Sequence, residues 1–426
     1  MRGSPRYSST NTSHPLFLAV ACVLTGLFAG LGGLLLSILL HCVQHLAYGY
    51  STDHIFGATS FLEGVSASPS GYRVLALSLC GLVAGLGWWF LWRRLRPLVS
   101  IHHAIKNGAP AMPTGATLWH VLLQIITVGL GSPLGREVAP RELGALGASH
   151  IGRRLGLVNR DVALLISCGA GAGLAAVYNV PLAGALFSLE ALAGRLRWHT
   201  VIPAVTTSAL AAWTASLGLG HAPQYHVIAM PDQAAPSLML WALLASPALG
   251  AGAYLFSLVT EKARARAPRD GRLLLLCGLN FPLIGLMSVI APAILGNGKP
   301  IVQSCLNGSF TLPMLLLVLV FKMAAVWGSL RSGAHGGLLT PGLAMGAMMG
   351  TLMGMLWNTV LPSMPLGAFV LVAAPAFLAA SMRMPLTALA LGIELTRVNP
   401  SWLSPMVLAA AGALAVNHLC QRRWGH

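Results

Sequence analysis

Charge is what this sequence has least of. Asp, Glu, Lys and Arg together make 8% of its 426 residues, against about 25% in an ordinary soluble domain. Acids are scarcest, ten in all: Asp53, Glu63, Glu137, Glu142, Asp161, Glu190, Asp232, Glu261, Asp270 and Glu394. That poverty, beside 56% hydrophobic residues, excludes an ordinary soluble protein. Cysteine supplies no framework either. The seven Cys lie mostly in apolar surroundings without CxxC spacing, so free, buried thiols are expected rather than a disulfide scaffold or zinc site. No Ser-His-Asp order, phosphate loop or HExxH motif occurs, so neither an enzyme reaction nor a cofactor or metal is expected. His102-His103 has no second ligand cluster and reads as loop surface. The formal charge of +16 comes without a basic stripe that carries aromatics, so nucleic acid is not an expected partner.

What the chain does have is apolar length. Runs long enough to span a bilayer recur, which makes it an all-α, polytopic membrane protein. The first run, 16–41, follows Arg2 and Arg6. It is longer than a signal peptide's apolar core, so an uncleaved span is expected. Basic residues gather in the connections: Arg93, Arg94 and Arg96 after the second run, then Lys262, Arg264, Arg266, Arg269 and Arg272 in one polar loop. The positive-inside rule sets the N-terminus in the cytoplasm and the chain in the cell (inner) membrane. Residues 1–14 are expected to be a mobile tail. The positive field would also help to attract an anionic substrate. Residues 97–115 read as a loop punctuated by Pro and Gly. Several apolar pieces, such as 117–130 and 384–395, are too short to cross ~30 Å at ~1.5 Å per residue. Half-helices that meet inside the bilayer are therefore expected.

One pattern occurs twice. Gly135-Arg136-Glu137-Val138-Ala139-Pro140 is echoed by Gly336-Gly337-Leu338-Leu339-Thr340-Pro341. The run from Pro181-Leu182 to Glu190 is echoed by the run from Pro385-Leu386 to Glu394. Pro140 and Pro341 stand 201 positions apart, Pro181 and Pro385 204, and both Pro-to-Glu intervals are 9. The chain therefore divides into a tail (1–14), a first membrane repeat (15–260), a basic linker (261–272) and a second membrane repeat (273–426). Interrupted apolar segments in matching places of a duplicated chain point to a transporter's binding site.

The few acids mark the chemistry, because an ionisable group inside the membrane needs a partner or a role. Glu137 opens a helix after a break, where free amides and the helix dipole favour negative charge. Two readings stand. In one, an arriving anion competes with the Glu137 carboxylate, which acts as a gate. In the other, Glu137 stabilises its own helix with Arg136 as partner. Leu338 and Leu339 offer only backbone N–H groups, which either face a ligand or simply begin a helix. Glu190 and Glu394 sit at helix C-terminal ends, where the dipole disfavours an acid, so pairing with Arg195 or Arg397 is expected.

These residues resemble the CLC family of chloride channels and chloride/proton exchangers. The family's Gly-Lys/Arg-Glu-Gly-Pro signature is similar to Gly135-Arg136-Glu137-Val138-Ala139, and its Gly-x-Phe-x-Pro signature to Gly337-Leu338-Leu339-Thr340-Pro341. Tyr178 through Gly184 and Arg383 through Glu394 also resemble family patterns. The resemblance spans roughly residues 70–420. It implies an inverted-repeat bundle of tilted and broken helices, and a homodimer with one pore per subunit. Chloride or a similar small anion is the implied cargo, and Glu137 the implied gating glutamate. Anion contacts are implied from amides near Arg136, Glu137, Leu338 and Leu339.

The departures matter as much. The Gly-Ser-Gly-Ile-Pro signature, which supplies a pore serine, is not recognisable. Anchoring on Ile101 puts Val99 at the serine's place with Ser100 beside it, and both stay candidates. No counterpart of the family's C-terminal pore tyrosine is found. In many exchangers a second glutamate, the internal proton acceptor, directly follows the position of Glu190; here that residue is Ala191. A methyl group carries no proton, so passive, channel-like anion conduction is the expected function. Proton-coupled chloride exchange is the alternative.

Overall fold

The structure, a computed structural model, describes residues 13–49, 60–108, 110–194, 197–227, 230, 234–361 and 363–424. Asp53, Arg195, Asp232 and residues 1–12 of the expected tail lie outside them. The described residues form helices throughout. The first half holds α1 (Pro15–Tyr48), α2 (Phe61–Ala67), α3 (Ser70–Arg94), α4 (Ile101–Lys106), α5 (Thr114–Gly129), α6 (Val138–Arg154), α7 (Asn159–Tyr178), α8 (Pro181–Phe187, continued by a π-helical turn Ser188–Ala193) and α9 (Trp198–Leu219). The second half holds α10 (Pro236–Ala265), α11 (Arg272–Ile290), α12 (Lys299–Leu306), α13 (Leu312–Arg331), α14 (Leu339–Val360), α15 (Leu366–Met382), α16 (Pro385–Thr396) and α17 (Leu403–Trp424). Nine helices among the described residues are long and apolar enough to cross a membrane.

The duplication in the sequence is a duplication in packing. In the first half α1 packs on α9, α6 on α7, and α7 on α9; in the second, α10 packs on α17, α14 on α15, and α15 on α17. Between the halves, α3 packs on α11 and α8 on α16, each pair being one element and its own repeat. The two Gly-rich breaks meet as well. Gly135 and Gly337 form an antiparallel bridge, with two N–H···O bonds of 2.8 Å. Equivalent segments that run antiparallel where they meet make this an inverted repeat.

Side-chain size sorts the helices by depth. Leu75, Leu79, Leu82 and Leu86 of α3, with Leu275, Leu279, Leu283 and Leu286 of α11, are all about half exposed or more. Stripes of leucine at helical spacing would be untenable in water and are what lipid covers. By contrast α7, rich in Gly and Ala, and α15 are buried along most of their length and form the middle of the bundle. Small residues let neighbours close in. A Cβ on Gly30 would stand 2.7 Å from the Ala211 carbonyl of α9, and one on Gly26 2.8 Å from Leu210 Cβ, so only glycine permits this α1–α9 approach.

Short helices stand where periodicity shows none, α2 (Phe61–Ala67) among them. The expected loop 97–115 contains α4, capped by the Ser100 hydroxyl accepting from His103 N–H at 3.2 Å; α12 begins with Pro300 in its first turn. Helices of six and eight residues are too brief to present an apolar stripe.

The connections rich in Arg and Lys meet at one end. Ser13 N–H donates to Asp161 at 2.9 Å, which joins the start of α1 to that of α7. Arg269, in the linker after α10, lies 5.0 Å above the Trp92 ring near the end of α3. Thr114 Oγ1 and His150 Nε2, 2.8 Å apart, join the start of α5 to the last turns of α6, which end at Arg153 and Arg154.

Candidate anion pathway

The break Gly131–Gly135 ends α5 short of a full crossing, and the chain restarts as α6 with Glu137 in the N-cap position. Its side chain makes no bond to its own helix. Instead the carboxylate crosses to the other repeat. Leu339 N–H, at the start of α14, donates to Oε1 at 2.7 Å, and Thr340 Oγ1 donates to Oε2 at 3.4 Å. Glu137 is 0% exposed. The reading in which Glu137 stabilises its own helix beside Arg136 is therefore not the arrangement found. Arg136 donates to the Val177 carbonyl at 3.3 Å and lies 5.1 Å above the Tyr178 ring. A carboxylate held by a helix-start amide sits where a small anion would be held by the same donor.

Glycine makes the seat possible. A Cβ at Gly135 or Gly337 would have the Glu137 carboxyl atoms as its three nearest neighbours, all far inside van der Waals contact. Neither glycine has positive φ, so space rather than backbone conformation demands them. Arg264 steadies the same break from the basic end, with Nη2 donating to the Gly336 carbonyl at 2.9 Å. Beyond Glu137, a small cavity is lined by Tyr178, Tyr225, Asn297, Lys299, Leu339 and Thr340.

Of the other expected anion contacts, Leu338 is half-buried beside this seat, and its amide makes no hydrogen bond to Glu137. Val99 is half-buried and Ser100 exposed, the hydroxyl of Ser100 being engaged in the α4 cap.

Glu394 corrects the expectation of Arg397 as its partner, while Arg195, the one expected for Glu190, lies outside the described residues. Glu190, in the π-helical turn, accepts from Leu386 N–H at 2.9 Å, Thr387 N–H at 2.8 Å and Thr387 Oγ1 at 2.7 Å. Glu394 accepts from Leu182 N–H at 3.0 Å and Ala183 N–H at 2.7 Å. Each acid thus caps the start of the other repeat's helix, α16 or α8. The favourable N-terminal dipole end comes from across the repeat boundary and offsets the unfavourable end of the acid's own helix.

Sequence reasoning missed a polar cluster one turn beyond Glu137 on α6. Glu142 Oε2 lies 2.7 Å from His120 Nδ1, with side-chain exposures of 18% and 5%. Gln124 Nε2 stands 3.2 Å from the same carboxylate oxygen. The His335 ring is 5.1 Å from that of His120 and is enclosed by Trp88 and Trp92. The available signal was a His and a Gln one helical turn apart in an otherwise apolar helix.

Residues 80–418 match the family described as voltage gated chloride channel. The chain belongs to that family. Among curated CLC relatives, it is 31% identical to the voltage-gated ClC-type chloride channel ClcB of Citrobacter koseri, over 79% of this chain and 83% of the relative. It is 30% identical to the H(+)/Cl(-) exchange transporter ClcA of Cronobacter sakazakii, over 94% and 86%. In solved structures, the fold is that of a slow cyanobacterial Cl-/H+ antiporter, with a TM-score of 0.80 at 20% identity, covering 95% of both chains. A CLC-type fluoride/proton antiporter superposes with a TM-score of 0.68 at 18% identity, covering 96% of this chain and 97% of the other. This CLC chain is thus an anion-transport protein of multi-pass membrane type.

Proposed function

We propose that this CLC chain conducts chloride or a similar small anion passively, with Glu137 as the gate in each subunit. The observation that carries this reading is the Glu137 carboxylate seated on Leu339 N–H and Thr340 O–H. These donors suit a small anion, and the carboxylate must leave, or lose its charge, before one can use them. Amide donors near Arg136, Glu137, Leu338 and Leu339 serve the anion, and Val99 and Ser100 flank its route at the basic end. Ala191 supports conduction without proton coupling, since it carries no titratable group. The positive-inside rule makes the basic end cytoplasmic and sets the N-terminus there. The exposed apolar faces of α9 (Ile202, Val205, Trp213) and α17 (Leu403, Val407) are the proposed contact with a second subunit.

Liposomes holding the purified protein test the function. A chloride gradient is imposed, the potential is clamped with valinomycin and potassium, and internal pH is followed. Passive conduction gives chloride efflux without a proton signal, and Glu137→Gln changes the flux and flattens its pH dependence. Proton uptake against its electrochemical gradient would replace this reading with proton-coupled exchange. The Glu142–His120 pair favours that second reading, because it puts an acid and an imidazole on the basic side of Glu137. Under exchange, Glu142→Gln abolishes proton movement and leaves chloride flux in place.

A further inference from the structure

Glu137 and Arg141 are four residues apart on α6, so they share one helical face. Arg141 is half-buried, and its Nε is sealed from solvent without a hydrogen-bond partner. Its guanidinium lies 4.2 Å above the Phe187 ring, and no hydrogen bond or ion pair satisfies it among the described residues. Glu137, Glu142 and Arg264 are its charged neighbours. Both carboxylates are engaged elsewhere: Glu137 with Leu339 and Thr340, Glu142 with His120 and Gln124. A guanidinium that is always charged has five N–H donors and no acceptor of its own. Leaving the sealed Nε–H unmet against an aromatic wall is costly, and the guanidinium's remaining N–H groups can bind a small anion.

We infer that Arg141 is a direct ligand of the transported anion, on the basic-end side of Glu137. The inference rests on the reading of Glu137 as the gate. An anion that has passed Glu137 meets Arg141 on the same helical face, with Arg264 nearby on the Gly336 carbonyl. Phe187 packs against the guanidinium at 4.2 Å without accepting a hydrogen bond from it, which leaves its outer N–H groups for the cargo. The cation over Phe187 also disfavours a proton in transit at this point, which fits conduction better than exchange.

Two measurements test the assignment. Crystals of the wild-type protein grown in bromide should show an anomalous peak within hydrogen-bond distance of the Arg141 guanidinium; bromide found only at other positions overturns the inference. Isothermal titration of chloride into detergent-purified protein is done in the Glu137→Gln background, where the native carboxylate no longer competes. There Arg141→Gln should weaken chloride binding about ten-fold or more, as expected for loss of charge-assisted hydrogen bonds. Arg141→Lys, which keeps the charge and the fold's electrostatics, should recover part of that loss. Unchanged affinity in a folded Arg141→Gln protein refutes the role of Arg141. Liposome flux unaltered by Glu137→Gln would instead refute the gate, so the two failures are distinguishable.

Discussion

Gly337→Ala would leave the Glu137 side chain chemically intact and remove it from its seat. The added methyl falls among the Glu137 carboxyl atoms, the farthest of the three nearest being Oε2 at 2.7 Å, where ordinary contact begins near 3.4 Å. The backbone accepts alanine because φ is not positive there. The carboxylate must therefore retreat and give up the 2.7 Å bond from Leu339 N–H. A hydrogen bond to a charged group contributes about 1.5–3 kcal/mol. At about 1.4 kcal/mol per factor of ten, occupancy of the seat falls roughly ten- to a hundred-fold. If the seated carboxylate blocks the pathway, chloride efflux from liposomes should rise until another step limits it, and its pH dependence should flatten. Gly135→Ala should act likewise, since its Cβ would stand 2.6 Å from Glu137 Cδ and Oε1. A double-mutant cycle makes the argument sharp: in a Glu137→Ala background, Gly337→Ala should change flux little, because the clash has lost its partner. Equal flux in Gly337→Ala and wild type, with both proteins folded, would refute the blocking role of the carboxylate. A further rise in the Glu137→Ala background would show that the glycine acts by another route.

The reciprocal caps should behave differently from the gate. Glu190→Gln and Glu394→Gln each weaken two or more charge-assisted bonds, so each should lower the thermal transition of detergent-solubilised protein, at a cost of about 1–3 kcal/mol. The pH profile of chloride flux should stay as in wild type; a flattened profile would mean that these acids titrate in the pathway. Lys322 is 0% exposed and donates to the Ile294 carbonyl at 3.0 Å and the Gly296 carbonyl at 2.6 Å. Lys322→Met strips both acceptors of their donor and should destabilise by about 2–5 kcal/mol. A melting temperature equal to that of wild type would show that residues 291–298 are held by other contacts.

Much of this fold is legible in the residues because bilayer and repeat both leave local marks. Long apolar runs announce spans, and Pro-Leu at matching positions announces the start of α8 and of α16. Glu137 stands out because acids are few and it follows a break. The failures share one cause. The partners of Glu190 and Glu394 lie 196, 197, 211 and 212 positions away, and nothing local to either acid names a helix start in the other repeat. A local rule, the helix dipole, correctly said that each acid needs compensation, and then suggested the nearest arginine. Glu142 and His120 fail similarly: their helices are adjacent in the chain, but only the turn through the break decides which faces meet. The missing acceptor of Arg141 is a three-dimensional fact with no one-dimensional trace.

Three glutamates in this chain end on the helix starts of the opposite repeat, and comparing them bears on which one is suited to the proposed gate. Glu190 is held by two amides and a hydroxyl, all within 2.9 Å. Glu394 is held by two amides. Glu137 has one amide at 2.7 Å and a hydroxyl at 3.4 Å, at the weak limit of a hydrogen bond. It is also the most buried of the three, and of its two donors only one is at a short distance. The inverted repeat explains the common geometry, because an acid on one copy is carried to the helix start of the other by the same pseudo-symmetry. It does not make the three equivalent. Between α8 and α16, where two elements of fixed length pack side by side, enough donors converge to make a permanent clasp. At the Gly135–Gly337 crossing the glycines leave room for a carboxylate but bring only the first turn of α14 to it. The glutamate proposed as the gate is thus the one that the fold holds least.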